Sequence, residues 1–289
     1  MNFLNTAFNI KSETSTGCIQ YLGIDETLLN NPDGTNEMSV SAKSRNFQLE
    51  TFRVKSEISL KQIEDLKAYG IDFSEMMEST LENEMNLNRV TSLYNKYLEL
   101  GKINYNHRLR KSRWNRFLLR FLSEDRFNYH IEDTKEGIGK LTNRINLISA
   151  LIATSCRMGP ADFIVCSSYI SVLLLESPLF TPLNTKEVTG IGNLQHIGKL
   201  GKIDVFIDGN LKFNNTDIVI GRKTNQNEIG VYYIKGDSNT EEFTNSEKKI
   251  ITLFSRECMI SLDGAEKSFD LLKISIGKSP WWKKILFIK

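Results

Sequence analysis

The sequence is poor in the residues on which most enzyme and metal sites depend. Its 289 residues contain only three histidines and four cysteines, and the cysteines (Cys18, Cys156, Cys166 and Cys258) form no CxxC pair. Such wide spacing argues against a zinc site and against a disulfide-stapled secreted domain. Neither a GxSxG elbow nor a GxxxxGK[ST] phosphate loop occurs. We therefore expect no catalytic residues, no metal and no cofactor, and we expect a reducing compartment.

The chain also lacks an excess of either charge and any long apolar run. It carries 37 basic and 35 acidic residues, so no global field attracts it to nucleic acid or to an anionic membrane. The densest apolar runs, residues 147–153 and 170–175, are far shorter than the roughly 20 residues of a membrane-spanning helix. The first residues do not read as a signal peptide. The composition predicts a soluble intracellular protein with one large domain or two smaller ones.

Residues 47–101 form the most informative stretch. Apolar residues at positions 52, 54, 58 and 60 alternate as one face of a strand requires, so residues 46–60 are predicted to be extended. Asp72 and Glu75 then form a capping box, which predicts a helix from Phe73. Apolar positions continue at helical spacing to Leu98, with Arg89 on the outward side, and Gly101 is predicted to end the helix.

The remaining chain predicts a mixture of helices and strands. Residues 1–45 are rich in Asn, Ser, Thr and Gly and are interpreted as a loosely structured arm. Further elements are predicted as a helix over 134–157, a strand over 163–167, a brief helix over 169–177, strands over 202–208, 217–221 and 229–234, an acidic turn region over 237–247, and strands over 250–262 and 269–276.

A basic and aromatic stretch at residues 108–121 has six basic residues and no acid. Arg110, Arg113 and Arg116 are candidates to bind phosphates, which would suit a nucleic-acid-binding protein. Alternatively, the aromatic residues are buried and the arginines pair with acids of a neighbouring subunit. We favour the second interpretation slightly.

Asp204 and Asp208 flank one predicted strand and point to one face of it. Two carboxylates can support acid–base or metal-dependent chemistry, so a metal-dependent enzyme is one hypothesis. The alternative is that they are solvated residues at strand edges. We favour the solvated interpretation, because neither a histidine nor a further carboxylate joins them in the sequence pattern.

Four blocks of sequence, in order, resemble the major capsid proteins of T-even-type tailed phages. They are residues 52–89, 152–168, 197–233 and 251–262, and they include the Cys156-Arg-Met-Gly-Pro160 turn. The resemblance implies an α+β protein with the Hong Kong 97-type capsid fold. Its parts would be an N-terminal arm (1–45), an extended loop (46–60), a peripheral domain with a long spine helix (61–160), an axial domain (161–248) and a return to the peripheral domain (249–289).

The same resemblance implies a structural, non-enzymatic subunit that forms hexamers and pentamers of an icosahedral head around double-stranded DNA. Its partners would be copies of itself, portal or decoration proteins and packaged DNA without sequence specificity, in the virion after assembly in the host cytoplasm, with no membrane. Arg53, Lys55, Glu84 and Arg89 are the expected inter-subunit contacts. An encapsulin-like shell or a capsid vertex subunit shares this fold and is the alternative. No cleavable propeptide helix is recognised, and residues 108–120 have no obvious counterpart in the family.

Overall fold

The computed structural model describes residues 16–25, 39–119, 128–131, 135–183, 190–191, 194–223 and 228–276. The helices are α1 Leu60–Ala68, α2 Phe73–Leu119, α3 Lys135–Cys156 and α4 Ser168–Leu175, with a 3₁₀ turn at Ala265–Ser268. The strands are β1 Thr16–Asp25, β2 Ser39–Gln48, β3 Glu50–Ser59, β4 Asn128–Ile131, β5 Phe163–Cys166, β6 Phe180–Pro182, β7 Gly190–Ile191, β8 Leu194–Leu200, β9 Ile203–Asp208, β10 Asp217–Gly221, β11 Val231–Thr244, β12 Lys248–Ser261 and β13 Phe269–Ile276.

The chain divides into two compact units. The first unit comprises Met1–Arg89 and Thr224–Gly264, and the second comprises Val90–Lys223 and Ala265–Lys289. Each unit therefore combines segments that are distant in sequence.

The first unit is built on an antiparallel sheet in the order β11-β12-β3. Strand β12 pairs with β11 on one side and with β3, residue by residue from Ser59 to Glu50, on the other. One apolar cluster joins α1 and the start of α2 to this sheet through Phe73, Leu81, Met85, Ile251 and Leu253. The predicted strands over 250–262 and 229–234 are confirmed. The predicted acidic turn over 237–247 is wrong, because β11 continues to Thr244 and only residues 245–247 turn.

The N-terminal region departs from the prediction of a loosely structured arm. Strands β1 and β2 pair antiparallel over ten residues, from Thr16 with Gln48 to Asp25 with Ser39. Ile19 and Phe47 are buried in a cluster with Tyr232 and Ile260 of the same unit. The interpretation is therefore wrong for residues 16–25 and 39–45, because it relied on the polar composition and missed the pairing of two strands that 13 residues separate.

The segment 46–60 is extended as predicted, and it pairs with another strand of its own chain. Strand β3 bonds to β12, and Phe47 and Leu49 are each only 7% exposed. The hairpin of β11 and β12 supplies the pairing surface that local sequence does not reveal. Deleting residues 46–58 would therefore remove part of the first unit's fold.

Both helix starts of this region have side-chain caps. Ser59 and Gln62 form a reciprocal capping box at α1. At α2, Asp72 Oδ1 accepts a 2.8 Å hydrogen bond from the amide of Ser74, which confirms the predicted start.

The prediction that helix α2 ends at Gly101 is wrong, because the helix continues to Leu119. A Cβ atom built at Gly101 would lie 3.0 Å from the carbonyl carbon of Asp270 and 3.1 Å from its oxygen. Glycine is required here because the helix passes close to the backbone of β13, and the positive φ that marks a helix-ending glycine is absent. The sequence pattern singled out Gly101 correctly, but this glycine allows the close approach of β13 and does not end the helix.

The second unit has a mixed sheet in the order β4-β13-β10-β5-β9-β8-β6, with β7 paired to β8. Helix α3 buries Leu141, Ile145, Ile148 and Ile152 in the cluster that this sheet forms with α4. Tyr97 of α2 stacks on Phe269 at 4.7 Å between ring centroids. The predictions of α3, α4, β5, β9, β10 and β13 are confirmed. Among the residues described, no helix is long and apolar enough to cross a membrane.

Candidate assembly surface and buried charges

The outer strand of the first unit's sheet presents the charged residues that the sequence singled out. Arg53, Lys55 and Glu57 alternate along β3 on its exposed face, whereas Val54 and Ile58 turn toward the core. Glu57 lies 2.5 Å from the Lys55 ammonium and 2.6 Å from that of Lys248. These two lysines lower the pKa of Glu57 to about 2. The exposed face of β3 therefore displays an organised set of charges.

Glu84 lies on the exposed side of α2, in the same unit. Arg53 pairs across the sheet with Phe254 in the register of β3 and β12, and its side chain is exposed. Arg53, Lys55 and Glu84 are thus accessible to another molecule.

Arg89 does not point outward, as the helical pattern predicted. Its side chain is 13% exposed, and its Nε donates to both carboxylate oxygens of Glu257, at 2.7 and 2.9 Å. Its Nη1 donates to Asn86 at 2.7 Å, and the Tyr233 hydroxyl donates to Glu257 at 2.5 Å. Arg89 therefore ties α2 to β12 and β11 within the first unit.

The buried carboxylate of Glu257 is held ionised by these donors. Burial raises the pKa of Glu257, but the hydrogen bonds from Arg89 and Tyr233 outweigh burial, and the pKa lies below its ordinary value. Burial and the contact with Glu257 raise the pKa of Tyr233. The burial of Glu257 could have been predicted from the alternation along β12. Glu257 follows Ile251, Leu253 and Ser255 at every second residue, and all four side chains are buried.

Arg110, Arg113 and Arg116 belong to the last turns of α2, which reaches Leu119. Their spacing of three residues places them on one side of the helix. Their side chains lie outside the described part of the structure.

The prediction that Asp204 and Asp208 are solvated is wrong, because both residues are buried in the second unit. Asp204 Oδ2 lies 2.9 Å from the Lys223 ammonium, while Oδ1 lies 3.5 Å from Lys199 and 3.6 Å from His196 Nε2. Burial raises the pKa of Asp208, which accepts a hydrogen bond from the amide of Asn210. The sequence pattern missed these partners because they lie on other strands and loops.

His196 is the titrating group of this cluster in the neutral pH range. Its ring stacks on Phe206 at 4.7 Å, and Nε2 lies 3.0 Å from the carbonyl oxygen of Gly198. Burial lowers the pKa of His196 below 6.5, against the opposing attraction of Asp204, while Lys223 lowers it further. The folded chain therefore disfavours the protonated imidazole.

The lowered pKa of His196 makes the folding stability of the chain depend on pH below neutrality. Since the folded-state pKa is depressed, His196 contributes stability above the pKa of the unfolded chain, and this contribution is lost as the pH falls below about 6.5. We expect the unfolding free energy to fall by at most ~1.4 kcal/mol per pH unit from this one proton. Urea unfolding between pH 7.5 and 5.5, compared with His196→Gln, measures it. Equal slopes for the two proteins would contradict the assignment.

No group of three or more histidine, cysteine, aspartate or glutamate side chains suited to a metal occurs in the part of the chain that the structure describes. Asp204 is instead surrounded by cations, so the geometry gives no support to the metal-dependent hypothesis.

Solved structures with the same architecture are phage and virus-like shells. The chain is similar to a structure from Microbacterium phage Oxtober96 (TM-score 0.59, 10% identity, 94% of this chain and 90% of that chain). It is also similar to the capsid of Myoviridae phage XM1 (TM-score 0.52, 11% identity, 94% and 91%). A third is the virus-like particle from Pyrococcus furiosus (TM-score 0.50, 8% identity, 94% and 92%). No curated protein sequence matches.

These likenesses define the fold class, which is the Hong Kong 97-type fold of an α+β chain. The family model of the major capsid protein Gp23 matches residues 3–234. The chain therefore belongs to the Gp23 major capsid protein family, and it is a structural subunit of a tailed-phage capsid and a component of the virion. The resemblance seen in the four sequence blocks is confirmed.

Proposed function

We propose that this subunit forms hexamers and pentamers that close into an icosahedral head around double-stranded DNA, after assembly in the host cytoplasm. Membership of the Gp23 family supports the shell role. A lattice of this kind uses heterologous contacts, in which one surface of a subunit meets a different surface of the next. Portal and decoration proteins are the further partners in this proposal, and no catalytic step is required of the chain.

The observation that carries the proposal is the position of β3 at the edge of its sheet. Within the described residues, β3 pairs with β12 on one side only. An edge strand offers free backbone groups, and charged side chains on it restrict which partner is accepted. We propose that residues 46–60 form the extended loop of this fold and that Arg53, Lys55 and Glu84 contact the adjacent subunit. The peripheral and axial domain assignments are part of the same proposal.

Reversing one charge on this strand tests the contact. Arg53→Glu is expected to leave the subunit folded, because the side chain is exposed, and to prevent or strongly reduce shell formation. Lys61→Glu, at an exposed position of α1 in the same unit, is the matched control and is expected to assemble. Circular dichroism reports the fold, and electron microscopy with light scattering reports the shells. Normal shells from Arg53→Glu would refute the assigned role of this residue.

We further propose that Arg110, Arg113 and Arg116 face acids of a neighbouring subunit or packaged DNA. Their common side of α2 supports a shared partner. If the partner is DNA, replacing all three with alanine lowers the slope of binding against salt concentration by about three contacts and leaves empty shells intact. If the partner is a neighbouring subunit, the same variant fails to assemble without DNA. A variant unchanged in both respects would exclude both roles.

A further inference from the structure

Helix α4 carries an apolar ridge on its outer face. Val172 and Leu175 lie three residues apart on α4 and are 52% and 51% exposed, and Leu179, 51% exposed, follows in the turn after the helix. Phe213, 66% exposed, contacts Tyr169 of α4 edge-on at 5.6 Å between ring centroids. We define these five residues as the α4 ridge.

The sequence of α4 indicates that both of its faces are covered in the finished protein. The helix, Ser168–Leu175, has no charged residue, and Ile170, Leu173 and Leu174 on its inner face are already buried. A helix that is apolar all round is a buried helix. Exposed apolar patches of this kind mark a docking site.

The last described strand, β13, ends near the start of α4. Strand β13 ends at Ile276, and Ile274 donates its amide to the carbonyl oxygen of Thr216. The neighbouring Asn215 accepts a 2.5 Å hydrogen bond from Ser167, the residue that caps the start of α4. Strand β13 therefore ends at the same end of the sheet at which α4 begins, and the loop that carries Phe213 lies there too.

The segment that follows has the length and composition to cover the ridge. The five residues from Ile276 to Trp281 span at most about 17 Å when extended, whereas α4 is about 12 Å long. Trp281, Trp282, Ile285, Leu286, Phe287 and Ile288 supply the apolar surface. Lys283 and Lys284 complement both Glu176, which is exposed at the end of α4, and the negative pole of that helix.

We propose that residues 281–288 dock on the α4 ridge of their own chain. The short tether sets an effective concentration in the millimolar range, which favours this occupant over a second copy. The segment then acts as the missing outer layer of the second unit. The proposal concerns the single subunit and does not depend on shell formation.

Tryptophan fluorescence tests the docking directly. In a Trp114→Phe background only Trp281 and Trp282 remain, and their emission in the native subunit is expected at shorter wavelength than in the urea-unfolded chain. Val172→Ser with Leu175→Ser is expected to shift the emission toward the unfolded value. Ile103→Ser, an exposed apolar residue of α2 in the same unit, is the control and is expected to leave it unchanged.

Two further measurements keep the proposal falsifiable. Stopping the chain after residue 276 is expected to accelerate amide exchange in α4 by about tenfold while exchange in α1 is unchanged. The native emission is expected to be independent of protein concentration. Emission equal to that of the unfolded chain, insensitivity to the ridge substitutions, or a wavelength shift that appears only at high concentration would each overturn docking within one chain, and the last result would identify a second copy as the occupant.

Discussion

Gly101→Val is expected to lower the free energy of unfolding of the second unit by about 2–3 kcal/mol. The new Cβ would lie 3.0 Å from the backbone of Asp270, and the branched carbons beyond it have no space between α2 and β13. The backbone of β13 cannot retreat cheaply, because it is bonded to β10 at Asp270 itself and to β4 from Lys273 onward. Urea unfolding followed by circular dichroism measures the loss.

Gly139→Val is the matched control for this result. Gly139 also lies inside a helix, α3, but a Cβ atom there meets nothing within 4 Å. Valine has a slightly better helix propensity than glycine, so the control is expected to be neutral or stabilising by a few tenths of a kcal/mol. If both variants lose the same stability, the close approach of β13 would not explain the glycine at position 101.

Glu257→Leu is expected to destabilise the first unit by about 3–5 kcal/mol, because it leaves the Arg89 guanidinium buried without its counter-charge. The Glu257 side chain is only 4% exposed, and it accepts hydrogen bonds from both Arg89 and Tyr233. The triple variant Arg89→Met, Tyr233→Phe, Glu257→Leu removes the charged pair and the tyrosine hydroxyl together. It is expected to recover most of the loss.

Acid titration gives the same cluster a second readout. The pKa of Glu257 is depressed in the folded chain, so its stabilisation is present above the unfolded pKa of about 4.3 and is lost as the pH falls through the folded value. The triple variant is expected to lose this part of the acid sensitivity. Glu57, whose ion pairs are fully exposed, is the comparison, and Glu57→Gln is expected to cost far less than Glu257→Leu. Equal losses from the two glutamates would refute the buried network.

Elements with a local signal were predictable from the sequence. The capped start of α2 at Asp72, the amphipathic helix α3 and the alternation of β12 all depend on residues that are near neighbours in the chain. The four blocks that resemble the capsid family also follow from local sequence, and they gave the fold and the shell role.

Properties that depend on distant partners were not predictable. Gly101 has the spacing of a helix end, and only the backbone of Asp270, 169 residues later, reveals why glycine is needed. Arg89 belongs to the polar side of its helix, yet Glu257 turns it into a buried residue. Asp204 looked like a solvated strand residue because its partners lie outside its own strand. His196 and Lys199 belong to β8, and Lys223 follows β10. In each case a tertiary contact overrides a correct local pattern.

The central places of β12 and β13 have a consequence for the timing of synthesis. β12 joins β3 to β11, and β13 joins β4 to β10, although both strands are made near the end of the chain. Translation at about 5–20 residues per second leaves the early strands waiting for on the order of 10 s or more. Neither unit can close while the ribosome still holds most of the chain. The completion of both sheets therefore follows the synthesis of β12 and β13, however early their neighbouring strands were made.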